Sequence, residues 1–235
     1  MENSHIVSAF DDDLNNLNTR IEMLGKLAKE RFVMALDAIA TQDEKVLDLV
    51  ITGDKELDGL EAEIVQSAFE IIALRSPRAS DLRRVVVASK IATIFERVGD
   101  FSKNIAKRTK AIAASGHETI PSVNIGRMGH MAEKMINDAM VAYNELDTKA
   151  AIDLRNSDVE LDHMHTAFYN EVMAMMTGDS KVVGSGVHLL FIGKNIERIG
   201  DYMTGIAEEI YFLVEGVQLD DERPKADKSS SKLSY

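Results

Sequence analysis

The chain has 235 residues, with no cysteine, no tryptophan, three prolines and 39 acidic against 27 basic residues, a net charge of -12. That length can bury a sizeable core without disulfide staples, and the absence of thiols excludes thiolate metal sites and dithiol chemistry. The acidity makes the chain a poor general binder of nucleic acid, whose phosphates ask for a basic surface.

No apolar run approaches the roughly 20 residues that span a bilayer. Met1 to Asp13 is polar and acidic, without the basic start and apolar stretch of a secretory leader. The expectation is a cytoplasmic protein. The periodicity predicts a first long helix over 8–51, with Leu14, Leu17, Ile21, Leu24 and Ala28 at three- and four-residue spacing. Thr52-Gly53-Asp54 reads as a break and as the N-cap of a second helix over 54–74. Ser76-Pro77 interrupts the chain, because proline cannot donate to the helix ladder. A third helix follows over 79–114 and stops at Ser115-Gly116.

Pro121-Ser122 opens a fourth helix over 122–155, and Ser157-Asp158-Val159-Glu160 fits a capping box for a fifth that ends at Gly178-Asp179. A sixth helix is expected over 182–216, where Leu189, Ile192, Ile196, Ile199, Met203, Ile206, Ile210 and Leu213 form a bundle seam. Beyond Gly216 the chain turns polar and is expected to be disordered.

The second half repeats the first. Asp54, Glu56, Leu57 and Asp58 return as Asp158, Glu160, Leu161 and Asp162, and Glu96-Arg97-Val98-Gly99-Asp100 returns as Glu197-Arg198-Ile199-Gly200-Asp201. Short breaks make successive helices antiparallel. The expected fold is therefore all-α, two tandem three-helix bundles in a pseudo-twofold repeat. The domains are expected at 1–116 and 117–217, followed by a polar tail at 218–235.

In each repeated pentapeptide the two carboxylates lie four residues apart and share one helix face. At about 100° per residue, Glu96 and Asp100 fall about 160° from Val98, away from the core stripe, and Glu197 and Asp201 stand likewise to Ile199. They are expected to face solvent, a metal or a partner. Paired like charges cost about 0.2–0.5 kcal/mol, and a mid-helix glycine such as Gly99 or Gly200 about 1 kcal/mol relative to alanine. That both halves accept both costs points to a purpose: hard cations take carboxylate oxygens, and transition metals bind when imidazole or water completes the shell. An ordinary salt-bridged face is the competing reading. It suits the first motif, which has Lys103 and Lys107 on the face of Asp100, better than the second, where only Lys194 can compensate. The glycines are also compatible with a close helix approach.

Asp54 with Asp58, and Asp158 with Asp162, are secondary ligand candidates. At helix starts, negative charge would also suit the helix dipole. Glu160 and His163 have the Glu-x-x-His spacing of di-iron bundles, but the first half has Gly59 opposite His163, so the pair is not duplicated. His130, His165 and His188 read as packing or surface residues. Ten basic residues between Arg75 and Lys110, against Asp81, Glu96 and Asp100, form a local basic excess that either docks an acidic partner or is a solvated face.

The two halves with their E-R-[VI]-G-D motifs, together with Arg75-Ser76-Pro77-Arg78-Ala79-Ser80-Asp81-Leu82-Arg83 and Lys194-Asn195-Ile196, resemble the PhoU family over about residues 10–216. The resemblance implies multinuclear metal clusters on the motif carboxylates, here Glu96, Asp100, Glu197 and Asp201, with iron, zinc, manganese or magnesium as the ion. It also implies a non-enzymatic negative regulator of the phosphate regulon. Such a regulator would act between the ATPase subunit of a phosphate ABC transporter and a sensor histidine kinase, often as a homodimer, and would reach the membrane only through those partners. Two departures from the family pattern stand out. Gly205 takes the place of the asparagine found at Asn104, and the second half has Gly178-Asp179-Ser180-Lys181 where the first has Arg75-Ser76-Pro77-Arg78. The alternatives are a metal-dependent carboxylate-bundle hydrolase or oxidase, a regulator of another transporter, and a metal-free helical scaffold.

Overall fold

The computed structural model describes residues 2–115, 123–219 and 225–227. Six long helices follow one another: α1 Glu2–Thr41, α2 Glu44–Arg75, α3 Ser80–Ala114, α4 Val123–Glu145, α5 Thr148–Gly178 and α6 Val183–Glu215, with a short 3₁₀ turn at Ser180–Val182 before the last. Helices α1, α2 and α3 pack as one bundle and α4, α5 and α6 as another, joined through α3 on α6 and α1 on α4. The polar tail at 220–224 and 228–235, and the loop at 116–122 with its Pro121-Ser122 start signal, lie outside the described residues.

Two helix boundaries differ from the sequence expectation, and they differ in the same way in each half. The first helix ends at Thr41 rather than near 51, and Thr52-Gly53-Asp54 lies inside α2. The cap is Asp43, whose side chain accepts from the backbone N–H groups of Lys45 and Val46, after Gln42 turns the chain at φ 50°. Likewise the fourth helix ends at Glu145 rather than near 155. Asp147 caps α5 through Lys149 and Ala150, after Leu146 at φ 53°. An N-cap aspartate satisfies backbone donors that the helix itself leaves orphaned. Gly53 is tolerated within α2 because the guanidinium of Arg31 from α1 lies where a side chain would stand. Ser157 opens no capping box: its hydroxyl donates back to the Leu154 carbonyl within α5.

The shared core runs through both bundles, with Phe32, Phe95 and Phe168 among its largest fully buried side chains. Polar contacts tie the halves at their rims. Tyr143 Oη donates to Asn18 Oδ1 at 2.9 Å, Lys90 pairs with Glu209 at 2.7 Å, and Lys29 Nζ donates to Asn137 Oδ1 at 3.1 Å. Between α3 and α6, the rings of Phe101 and Tyr202 meet at a tilt of 53° with centroids 5.4 Å apart, each one residue past its motif.

The motif glycines are explained by packing. A Cβ on Gly99 would lie 2.7 Å from Leu57 Cδ1, and one on Gly200 would run into Leu161 Cδ2, so α2 and α5 each press a buried leucine onto the third helix of their bundle. Gly59 has nothing within 4 Å of where its Cβ would be. Gly200→Ala is therefore expected to destabilise the protein by about 1–2 kcal/mol, overpacking outweighing better helix propensity. Gly59→Ala is expected to stabilise it by about 0.5–1 kcal/mol. Urea denaturation of both variants checks the pair.

Candidate functional site

Moving the helix boundaries moves the acidic residues. Asp54 and Asp158 are not first-turn residues that suit a helix dipole; they lie deep in α2 and α5, 7% and 1% exposed. Each faces the motif of its own half. Two carboxylate clusters result, one between α2 and α3 and one between α5 and α6, and they are balanced in different ways.

In the first cluster the cation is supplied by the chain. Lys103 Nζ donates to Asp100 Oδ1 at 2.8 Å and to Asp54 Oδ2, bridging α3 and α2. Arg97 adds a second bond to Asp100 Oδ2 at 2.9 Å. Burial works against the charge of Lys103, yet its hydrogen bonds to Asp100 and Asp54 hold its pKa above the usual lysine value. Burial likewise pushes Asp100 up, but the hydrogen bond and charge of Lys103 prevail and lower it. Glu96 goes the other way: burial first, then the neighbouring Asp100 charge, raise it to about 7. Asp58 is exposed on α2 and adds to the negative field at Glu96.

The second cluster has Thr204 where the first has Lys103, and the Thr204 hydroxyl is spent on the Asp201 backbone carbonyl. Its cation enters from the other end, where Lys194 Nζ meets Glu197 Oε1 at 2.7 Å. Glu197 is 4% exposed, and its Oε2 is buried with no hydrogen-bond partner. Burial, with the Asp201 charge adding to it and Lys194 opposing, raises its pKa. Asp158 packs against α6 at Gly200, its Oδ1 3.1 Å from where a Cβ would stand there, and Asp201 is half-buried.

The outward placement expected for the motif carboxylates holds only in part. Glu96, Asp100 and Asp201 are half-buried and Glu197 is buried. The face turned away from Val98 and Ile199 is not open, because α2 and α5 lie along it. A helical wheel places a side chain relative to its own helix's core stripe and is blind to a neighbour covering the opposite edge.

Two residues of this region were not singled out as ligands from the sequence. His165 reads there as packing or surface but is buried on α5, 3% exposed, and Asp227 belongs to the expected polar tail. Asp162 accepts from the backbone N–H of Ala226 at 2.7 Å and of Asp227 at 3.1 Å, which fixes the segment 225–227 on α5. Asp227 Oδ1 then lies 3.4 Å from His165 Nδ1. The signal available in the sequence was spacing: Asp158, Asp162 and His165 follow at i, i+4 and i+7, on one helix face. His163, of the Glu-x-x-His pair, is exposed, as is His130.

Much of the local basic excess between Arg75 and Lys110 is used inside the molecule. Arg75 pairs with Asp13, Lys90 with Glu209, Arg97 and Lys103 with the first cluster, and Lys110 with Glu44 and Asp48.

As a donor set for a metal, the two clusters differ. Both offer oxygen ligands of the kind hard and borderline cations take, but the first already holds an ammonium between its carboxylates. The second has an orphaned buried carboxylate oxygen and fits a cation better.

A duplicated three-helix bundle with a carboxylate cluster on each third helix defines a class of tandem-repeat helical proteins. The PhoU domain model matches residues 21–109 and again 125–210, and the chain belongs to the PhoU family. It is 37% identical over 223 residues to the phosphate-specific transport system accessory protein PhoU homolog of Caulobacter vibrioides, covering 95% of this chain and 97% of the relative. It is 30% identical to the phosphate-specific transport system accessory protein PhoU of Escherichia coli, covering 91% of this chain and 88% of the relative. The crystal structure of PhoU from Pseudomonas aeruginosa superposes with a TM-score of 0.85 at 25% identity, covering 88% of this chain and all of that one. The phosphate transport system regulatory protein PhoU of Streptococcus pneumoniae superposes at 0.83 with 27% identity, covering 90% of this chain and 99% of that one. These are accessory and regulatory proteins, and the family is not one of enzymes. No helix among the described residues is long and apolar enough to cross a membrane.

Lys103 tests the internal ion bridge. Lys103→Met leaves Asp54, whose side chain is 9% exposed, and Asp100 without their ammonium. Uncompensated burial of a carboxylate is expensive, and because Lys103 and Asp100 keep some solvent contact the expected loss is about 1–3 kcal/mol, read from the urea midpoint. The same change at the exposed Lys107 should cost under about 0.5 kcal/mol.

Proposed function

We propose that this chain is a negative regulator of the phosphate regulon and of phosphate uptake. It works as a cytoplasmic adaptor between the ATPase subunit of a phosphate ABC transporter and the sensor histidine kinase of the regulon, acts as a homodimer, and is held at the membrane only by those partners. The observation that carries this reading is the PhoU domain match in both halves, joined to relatives over nearly the whole chain that are named as accessory proteins of phosphate transport. The architecture supports it: two bundles packed side by side through α3 on α6 and α1 on α4 present separate faces, which is what a protein bridging two partners needs. With the gene deleted in its source bacterium, a phosphate-starvation reporter is expected to switch on in high phosphate and to fall silent again when the gene is restored. A reporter that stays silent in the deletion strain would overturn this role and reopen the readings as a regulator of another transporter or of a stress response.

The motif carboxylates are the second part of the proposal. Glu96 and Asp100, with Asp54 and Asp58, and Glu197 and Asp201, with Asp158 and Asp162, are assigned as ligands for divalent or trivalent ions such as iron, zinc, manganese or magnesium. The donor chemistry and the orphaned oxygen of Glu197 support the second set most directly. Glu197→Ala with Asp201→Ala is expected to remove the metal bound by the second half and leave helix content by circular dichroism nearly unchanged. Unchanged metal stoichiometry in the double variant would overturn the assignment.

A further inference from the structure

The segment Lys225–Asp227 returns to the bundle after α6 and lies against α5 beside the second motif. His165, Glu197 and Asp227 meet there, each offering a ligand atom, and the three atoms lie within 4.8 Å of one another. We propose that they form a mixed imidazole–carboxylate site for a divalent transition metal of the zinc class, and that the ion staples the C-terminal segment onto α5 and α6. The site shares Glu197 with the motif assignment proposed above, but it is completed by His165 and the returning segment rather than by Asp201.

Three observations carry it. The first is spacing. Ligands that share a tetrahedral ion at about 2.0–2.1 Å stand about 3.3–3.4 Å apart along each edge. His165 Nδ1 and Asp227 Oδ1 are 3.4 Å apart, long for a hydrogen bond between these atoms and fitting for such an edge.

The second is the disposition of the carboxylate oxygens. Lys194 takes Glu197 Oε1 at 2.7 Å and lies 3.6 Å from Asp227 Oδ2. That leaves Glu197 Oε2 buried without a hydrogen-bond partner and Asp227 Oδ1 turned to the imidazole. A buried carboxylate oxygen left unpaired costs free energy that an ion would recover.

The third is the clamp. Asp162 spends its Oδ2 on two backbone N–H groups of the segment, so it acts as the residue that orients the Asp227 donor. Groups that orient a ligand are a regular part of metal sites.

The first half cannot build this site. By the repeat register Glu61 stands where His165 does and Thr93 where Lys194 does, and Thr93 Oγ1 donates to Glu61 Oε1 at 2.9 Å. The imidazole, which shifts preference from magnesium and calcium toward zinc, iron and their neighbours, is present in one half only.

The test uses the full chain, stripped with chelator and titrated with zinc alone, beside Asp227→Ala, His165→Gln and Asp201→Ala. Asp227 lies outside the helices, so its loss leaves the bundle folded, and circular dichroism confirms that for every variant. The expected result is a weakening of zinc affinity by at least about tenfold in Asp227→Ala and His165→Gln, with Asp201→Ala close to the parent. A second readout is tryptic cleavage after Lys225, which zinc should slow in the parent and not in Asp227→Ala. A parent that binds no zinc, or an Asp227→Ala protein that binds it as tightly as the parent, overturns the inference. If affinity falls in Asp201→Ala and not in Asp227→Ala, the motif assignment stands and this site is wrong. If it falls in Asp227→Ala and His165→Gln and not in Asp201→Ala, this site stands and zinc bound here does not depend on Asp201.

Discussion

Everything in the two acidic clusters depends on how closely the second helix of each bundle approaches the third. Leu57 on Gly99 and Leu161 on Gly200 set that distance. A side chain at either glycine would hold the helices apart, and the aspartates of α2 and α5 would then face water instead of the motif carboxylates. The helix-propensity cost of two mid-helix glycines is offset by apolar burial at the leucines, both 0% exposed, and the clusters are a geometric by-product of that contact.

From equivalent starting points the halves neutralise their charge in opposite ways. The first closes its cluster with Lys103, an ammonium on the same helix as the motif, and so carries its counter-ion in its covalent structure. The second has Thr204 at that place and Lys194 one turn before the motif, leaving one oxygen of Glu197 unmatched. Duplication supplied two frames of the same shape, and three substitutions between them, Lys103 to Thr204, Thr93 to Lys194 and Glu61 to His165, decide which frame still needs something from outside.

The number of helices, their order and the repeat were legible in the sequence because they rest on apolar spacing and on a pentapeptide written twice. The boundaries near residues 42 and 146 were not. Thr52-Gly53-Asp54 and Ser157 to Glu160 carry stronger local signals than Gln42-Asp43 and Leu146-Asp147, and only the packing of Arg31 over Gly53 shows that the glycine is interior. The motif carboxylates were legible as a set, but their burial was not, since it depends on a neighbouring helix. His165 and Asp227 escaped for different reasons: the histidine has no counterpart in the first half, and the aspartate is held by backbone N–H groups, which leave no trace in the pattern of side chains.

The Phe101–Tyr202 contact has an optical consequence. The chain has five tyrosines and no tryptophan, so tyrosine emission is not drained by energy transfer to an indole. Tyr202 follows Asp201 directly and lies in the seam where α3 meets α6. The molecule thus contains a native fluorophore at the junction of its halves, sensitive to any change in the tilted ring contact there, and needs no attached dye to report on it.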